Sequence, residues 1–155
     1  MAALTLRRRV AAFARETCGA EVVEFALVLP VLLFLLAGII DMGFLFNNYE
    51  TLTNAAREGA RVAILPGASD MDVEARVKQY VQADGMNPDA VDTDIAAVQI
   101  ALPGGVVNGM KVTVSYPYNY MVLGPIAAMV QSSRTFDSVT LTAASTMRTE
   151  LAAGL

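Results

Sequence analysis

The chain has 155 residues, of which 55% are apolar and 17% charged, with a formal net charge of −4 and a mean hydropathy of +0.48. Soluble domains average about 45–50% apolar and about 25% charged residues. The composition therefore excludes a typical soluble domain and, for most of the chain, intrinsic disorder; a pI of 4.7 speaks against a nucleic-acid partner.

The first predicted elements are a basic leader and an apolar run. Arg7, Arg8, Arg9 and Arg15 stand against the single Glu16. From Phe25 to Ile40 the chain reads FALVLPVLLFLLAGII, without a charge; Asp41 interrupts, and MGFLF follows to Phe46. As a helix, these residues from 25 to 46 span roughly 33 Å, enough for a bilayer core of about 30 Å. A buried core helix is disfavoured because neither face is polar and the rest of the chain is too short to wrap it. The transmembrane part is therefore placed at about 25–46. The arginine excess before it predicts a cytoplasmic N-terminus, with residues from about 48 onward outside.

A removable secretory signal fits poorly. The apolar segment is long, no small-x-small site follows it, and Asp41-Met42-Gly43-Phe44 stands where cleavage would fall. Cys18 is the only cysteine and precedes the apolar run, which excludes both a lipoprotein signal and an intrachain disulfide.

The junction reads Cys18-Gly19-Ala20-Glu21-Val22-Val23-Glu24-Phe25-Ala26-Leu27-Val28-Leu29-Pro30, and further on come Gly38, Asp41 and Asn54-Ala55-Ala56-Arg57-Glu58-Gly59-Ala60-Arg61. A glycine, four residues, then a glutamate and an aromatic before a membrane run resembles the processing site of Flp-type (tight-adherence) type IV pilins and pseudopilins. With the basic leader, the E-F-A-L-x-L-P run and A-A-R-E-G-A-R, residues 19–65 resemble the N-terminal segment of the TadE-like pseudopilin family.

That resemblance implies a bacterial inner-membrane protein, retained there or carried into the pilus, taking part in Flp/Tad-type pilus assembly as a minor pilin with a structural role in adherence or secretion. It implies cleavage between Gly19 and Ala20 by a prepilin peptidase, with residues 1–19 lost. Its partners would be membrane lipid, the peptidase, other pilins and pseudopilins, and the Tad assembly platform. Loss of the leader removes four of the eleven basic residues and one of the fifteen acidic ones, for a formal net of −7. Ala20 then gains an α-amino group with a pKa of about 8. Glu24, one helical turn on, is implied to pair with such an amine on a neighbouring subunit, because two groups each costly in lipid are less costly as a pair; snorkelling to headgroups is the plainer account. Phe25 completes the assembly motif. Pro30 removes the bond to the Ala26 carbonyl and is expected to bend the helix. Asp41, near the outer edge of the hydrocarbon, is expected to meet water or headgroups.

The helix is predicted to continue to about Leu65, giving a TadE-like N-terminal helix over 20–65 that Pro66-Gly67 ends. Tyr49, Leu52, Ala56, Ala60 and Ala63 recur at helical spacing, and Glu58 lies within reach of Arg61. Residues 66–155 are expected to form an extracytoplasmic α+β domain of about three antiparallel strands with helices on one face. Ser69 and Asp72 start a helix over 70–83, with Val73, Val77, Tyr80 and Val81 inward. Asn87-Pro88 suggests a helical turn and 95–102 a strand; Pro103-Gly104-Gly105 and Asn108-Gly109 read as turns. Over 110–118, Val112, Val114, Tyr116 and Tyr118 alternate with Lys111, Thr113 and Ser115. A short helix over 121–130 and a strand from Val139 to Met147 complete the prediction.

The sequence has no histidine, no nucleophile–base pair and no phosphate loop, so the chain is not expected to be an enzyme or to need a cofactor. Asp84, Asp89, Asp92 and Asp94 lack the ligand spacing of a calcium loop and read as a solvated loop. The alternative to the pilus reading is an uncleaved single-pass membrane protein whose outer domain binds a partner.

Overall fold

The structure, a computed structural model, describes residues 18–125 and 138–149. Its elements are helix α1 (Cys18–Ala63), helix α2 (Asp70–Ala83), a 3-10 turn (Pro88–Ala90) and strands β1 (Asp92–Leu102), β2 (Gly105–Tyr118) and β3 (Val139–Arg148). The α+β class is as the sequence predicts. Two compact units divide the chain, Met1–Ile40 and Asp41–Leu155. In the first, the described residues belong to α1 and most of their apolar side chains are exposed. The leader before Cys18 lies outside the described residues.

In the second unit the helical punctuation follows from local chemistry. The last turn of α1 gives way at Pro66-Gly67: Ala68 N–H donates to the Leu65 carbonyl at 3.2 Å, and Gly67 takes φ 81°. Proline followed by a residue at positive φ is the arrangement of a type II turn. Ser69 caps α2. Its hydroxyl accepts from the Asp72 N–H at 3.3 Å, while the Asp72 carboxylate accepts from the Ser69 N–H at 2.9 Å. The Ser69 hydroxyl also donates to the same carboxylate at 2.7 Å, and this bond first, with the one from the Ser69 N–H next, holds the Asp72 carboxyl below its usual pKa. At the other end Gly85 adopts φ 82°, its N–H meets the Gln82 carbonyl at 3.0 Å, and Met86 N–H reaches back to Val81 at 3.0 Å. This is the paired bonding of a Schellman ending, and it turns Met86 into the core.

The sheet is antiparallel with order β1-β2-β3. Val112, Val114 and Tyr118 of β2 and Leu141 and Ala143 of β3 face one core, which Val73, Val77 and Val81 of α2 and Leu52, Ala55, Ala56 and Ala60 of α1 complete. The α1 face is built from small residues, so the helix backbone comes close to α2 and the sheet. Gly59 shows how close: a Cβ there would stand 2.8 Å from Val77 Cγ2 and 3.2 Å from Val112 Cγ1. Tyr49, predicted for this face, is exposed, and Ala55 is buried instead.

Further expectations need correction. Strand β1 starts at Asp92, so Asp92 and Asp94 belong to a strand and not to a loop, and both stay exposed as expected. Asp84 is drawn to α1, where the buried Thr51 hydroxyl contacts both its carboxylate and the Asn47 carbonyl. Asn108-Gly109 is no turn but the middle of β2, with Gly109 opposite Val98 on one side and Arg148 on the other. The glycine is there for close approach, since a Cβ would meet Ile100 Cδ1 and the Met147 carbonyl oxygen, both at 2.7 Å. Finally, residues 121 and 122 form a bend, and helical geometry begins only at Leu123. The rest of the helix predicted to residue 130 lies outside the described residues.

Gly109→Ala is therefore expected to destabilise the second unit by about 1–3 kcal/mol, the range for overpacking. Gly104→Ala, in the hairpin turn with nothing within 4 Å of an added Cβ, should be close to neutral. Denaturant unfolding of the full chain in detergent micelles, followed by tyrosine fluorescence, compares the two.

Candidate functional site

Two places are candidates. The first is the start of α1. Gly19, Ala20, Glu24 and Phe25 all lie in its first turns and are exposed, and nothing stands within 4 Å of a Cβ added at Gly19. Helical spacing puts Ala20 and Glu24 on one face, four residues apart. Phe25 is the next residue along, and Pro30 lies inside the helix. The segment is thus a linear motif displayed on one helix.

The second place is one that the sequence reading misassigned. Asp41 does not face water or headgroups: it is 1% exposed. Its carboxylate accepts three consecutive backbone N–H groups. Met121 donates to Oδ1 at 3.0 Å, Val122 donates to Oδ1 at 3.0 Å and to Oδ2 at 3.2 Å, and Leu123 donates to Oδ2 at 2.7 Å. These donors open the helical turn at 123–125, and the first N–H groups of a helix have no partners within it. A carboxylate from another helix supplies them and meets the positive end of the turn. Pro125, two residues after the last donor, has no N–H to satisfy.

Tyr118 secures the same contact from the end of β2. Its hydroxyl donates to the Asp41 main-chain carbonyl at 3.1 Å, and its ring meets Tyr120 edge-on with centroids 5.7 Å apart. Burial pushes the Tyr118 pKa up, with the Asp41 and Tyr120 charges adding to the effect. The sequence did contain a signal for this site: Asp41 is the lone acid in an otherwise uncharged run from 25 to 46. Only its partners, some 80 residues away, were hidden.

A third cluster joins α1 to α2. Glu58 accepts from Arg61 at 2.7 and 3.0 Å and from Arg76 at 2.8 and 3.0 Å, as the spacing to Arg61 predicts. The Arg61 hydrogen bonds first, and those of Arg76 next, lower the Glu58 carboxyl to about 2. The cluster is at the surface and has the character of a clamp between helices. Among the described residues no three His, Cys, Asp or Glu side chains are grouped to hold a metal ion.

Two outcomes follow from this geometry. Asp41→Asn leaves one acceptor oxygen for three donors and should cost about 1–3 kcal/mol per N–H left unpaired. Tyr118→Phe should cost only about 0.5–1.5 kcal/mol. Proteolytic nicking near residues 121–123 and unfolding in micelles measure both. For Glu58 the folded pKa is depressed, so its contribution is complete above 4.5 and is lost as pH falls toward about 2. Glu58→Gln should lower stability at pH 7 by up to about 1 kcal/mol and flatten the acid limb of a pH–stability curve.

Among the described residues one helix is long and apolar enough to cross a membrane, and only 6% of its most apolar stretch is buried, which fits a membrane-anchored protein. No curated protein and no solved structure gives a significant match to the chain. Residues 19–61 match the family model described as TadE-like protein, the family that the motif at Gly19–Pro30 resembles, and the matched segment contains Asp41 and Glu58 as well.

Proposed function

We propose that the chain is a pseudopilin, or minor pilin, of a Flp/Tad-type pilus assembly system. It would be inserted in the bacterial inner membrane with its N-terminus cytoplasmic and its second unit periplasmic or extracellular. The observation that carries this reading is the TadE-like match over 19–61, which coincides with an exposed apolar helix that opens on Gly19, Ala20, Glu24 and Phe25. The basic leader supplies the orientation. An exposed start of α1 also suits a segment that first enters a peptidase and then packs against other helices.

In this reading a prepilin peptidase cuts after Gly19, and the new Ala20 amine of one subunit meets Glu24 of another. Pairing offsets the desolvation of two charges that are each costly in hydrocarbon. Pro30 lies where neighbouring helices in an assembly can satisfy the carbonyl it leaves free.

In the native host the mature protein should be nineteen residues short by mass, and Gly19→Trp should leave it full-length. Unprocessed wild-type chain would favour the uncleaved single-pass protein instead. Glu24→Gln keeps the shape and removes the charge. It should be inserted and cut as normal while surface piliation is lost; normal piliation would remove the pairing step, and loss of cleavage would move Glu24 to peptidase recognition.

A further inference from the structure

The Asp41 contact fixes the depth of a second piece of chain. Asp41 lies five residues before Phe46, about 7.5 Å of helix inside the outer end of the apolar run. Whatever hydrogen-bonds its carboxylate directly must lie at the same level. The donors are the backbone groups of Met121, Val122 and Leu123, at 2.7–3.2 Å. We infer that residues 120–123 form a second membrane contact, a short loop seated in the outer lipid interface beside the spanning helix. The inference rests on the reading of residues 25–46 as a membrane span.

The side chains fit that place. Met121 is 65% exposed, and Val122 and Leu123 are half-buried. Tyr120 precedes them, half-buried with its ring against Tyr118, as suits the aromatic level of a bilayer. On the helix, Met42, Phe44 and Phe46 around Asp41 are also exposed, so the loop continues an apolar surface that the span already presents. No charged residue occurs from Lys111 to Arg134, a gap that contains the whole loop.

The backbone fits too. Irregular chain at membrane depth is tolerated only where its polar groups are satisfied within the protein. Three consecutive N–H groups meet that condition on a single carboxylate, and Pro125 brings none. The same pairing makes an acid inside an apolar run tolerable. The occupant of the exposed Met121 surface is therefore the lipid itself.

The test uses the full chain with Cys18→Ser, reconstituted in phosphatidylcholine–phosphatidylglycerol vesicles and carrying one bimane-labelled cysteine at a time. Met121→Cys reads the loop, Phe34→Cys reads the middle of the apolar run, and Met71→Cys, at an 80% exposed position on α2, reads water. Quenchers are a lipid with a spin label high on its acyl chain and aqueous iodide. The expected result is lipid-borne quenching at 121 nearer to that at 34 than to that at 71, with iodide quenching low. Iodide quenching at 121 equal to that at 71, with 34 still lipid-quenched, overturns the loop contact and leaves the span standing. Iodide quenching at 34 overturns the span and the loop contact together. A label at 121 reached by neither quencher also overturns lipid as the occupant and shows protein covering the loop.

Discussion

A carboxylate in an apolar stretch must find donors or carry a heavy desolvation cost, and Asp41 finds three on one short bend. Much of the second unit is arranged around that need. Strand β2 has to end with Tyr118 close enough to reach the Asp41 carbonyl. The chain must then turn so that Met121, Val122 and Leu123 present their N–H groups in sequence. Each half supplies what the other lacks: without the bend the acid loses these donors, and without the acid the three N–H groups lose this acceptor.

The remaining core is held by shape more than by polar contacts. Ala55, Ala56, Gly59 and Ala60 give α1 a smooth face, and the valines of α2 and β2 fill the space against it. Such a seam has little room for change, because interiors are packed to near-crystalline density. Larger side chains at Gly59 or Gly109 would have to displace a valine or a strand backbone. The Glu58–Arg61–Arg76 cluster and the capping box at Ser69–Asp72 lie at the margins and set angles between segments more than they set stability.

Local chemistry was legible in the residues, and partnership over distance was not. The Ser69 cap, the Gly85 ending, the alternation along β2 and the long helix before the Pro66-Gly67 turn each have a cause within a few residues, and the structure carries all four. Asn108-Gly109 misled because the same dipeptide serves a tight turn or a crowded strand, and only Ile100 and Met147 decide between them. Asp41 was misplaced for a related reason. Its position in the run suggested an interface, while its partners come from a bend 80 residues on that has no pattern of its own. The string from Gly19 to Phe25 is the opposite case, contiguous residues legible by their spelling, whose side chains the fold leaves exposed.

The sequence separation of the Asp41 contact also sets a clock. Leu123 lies 82 residues beyond Asp41, so the carboxylate leaves the ribosome well before any of its donors. At about 5–20 residues per second, the wait is roughly 4–16 s. The core has the same order, since Leu52 through Ala60 are made first and Leu141 and Ala143 last. During synthesis, then, the helix exists for seconds with an unpartnered acid and a bare seam of small residues. Helix α1 must hold its place by the hydrophobicity of its first part until the sheet arrives to close over the second.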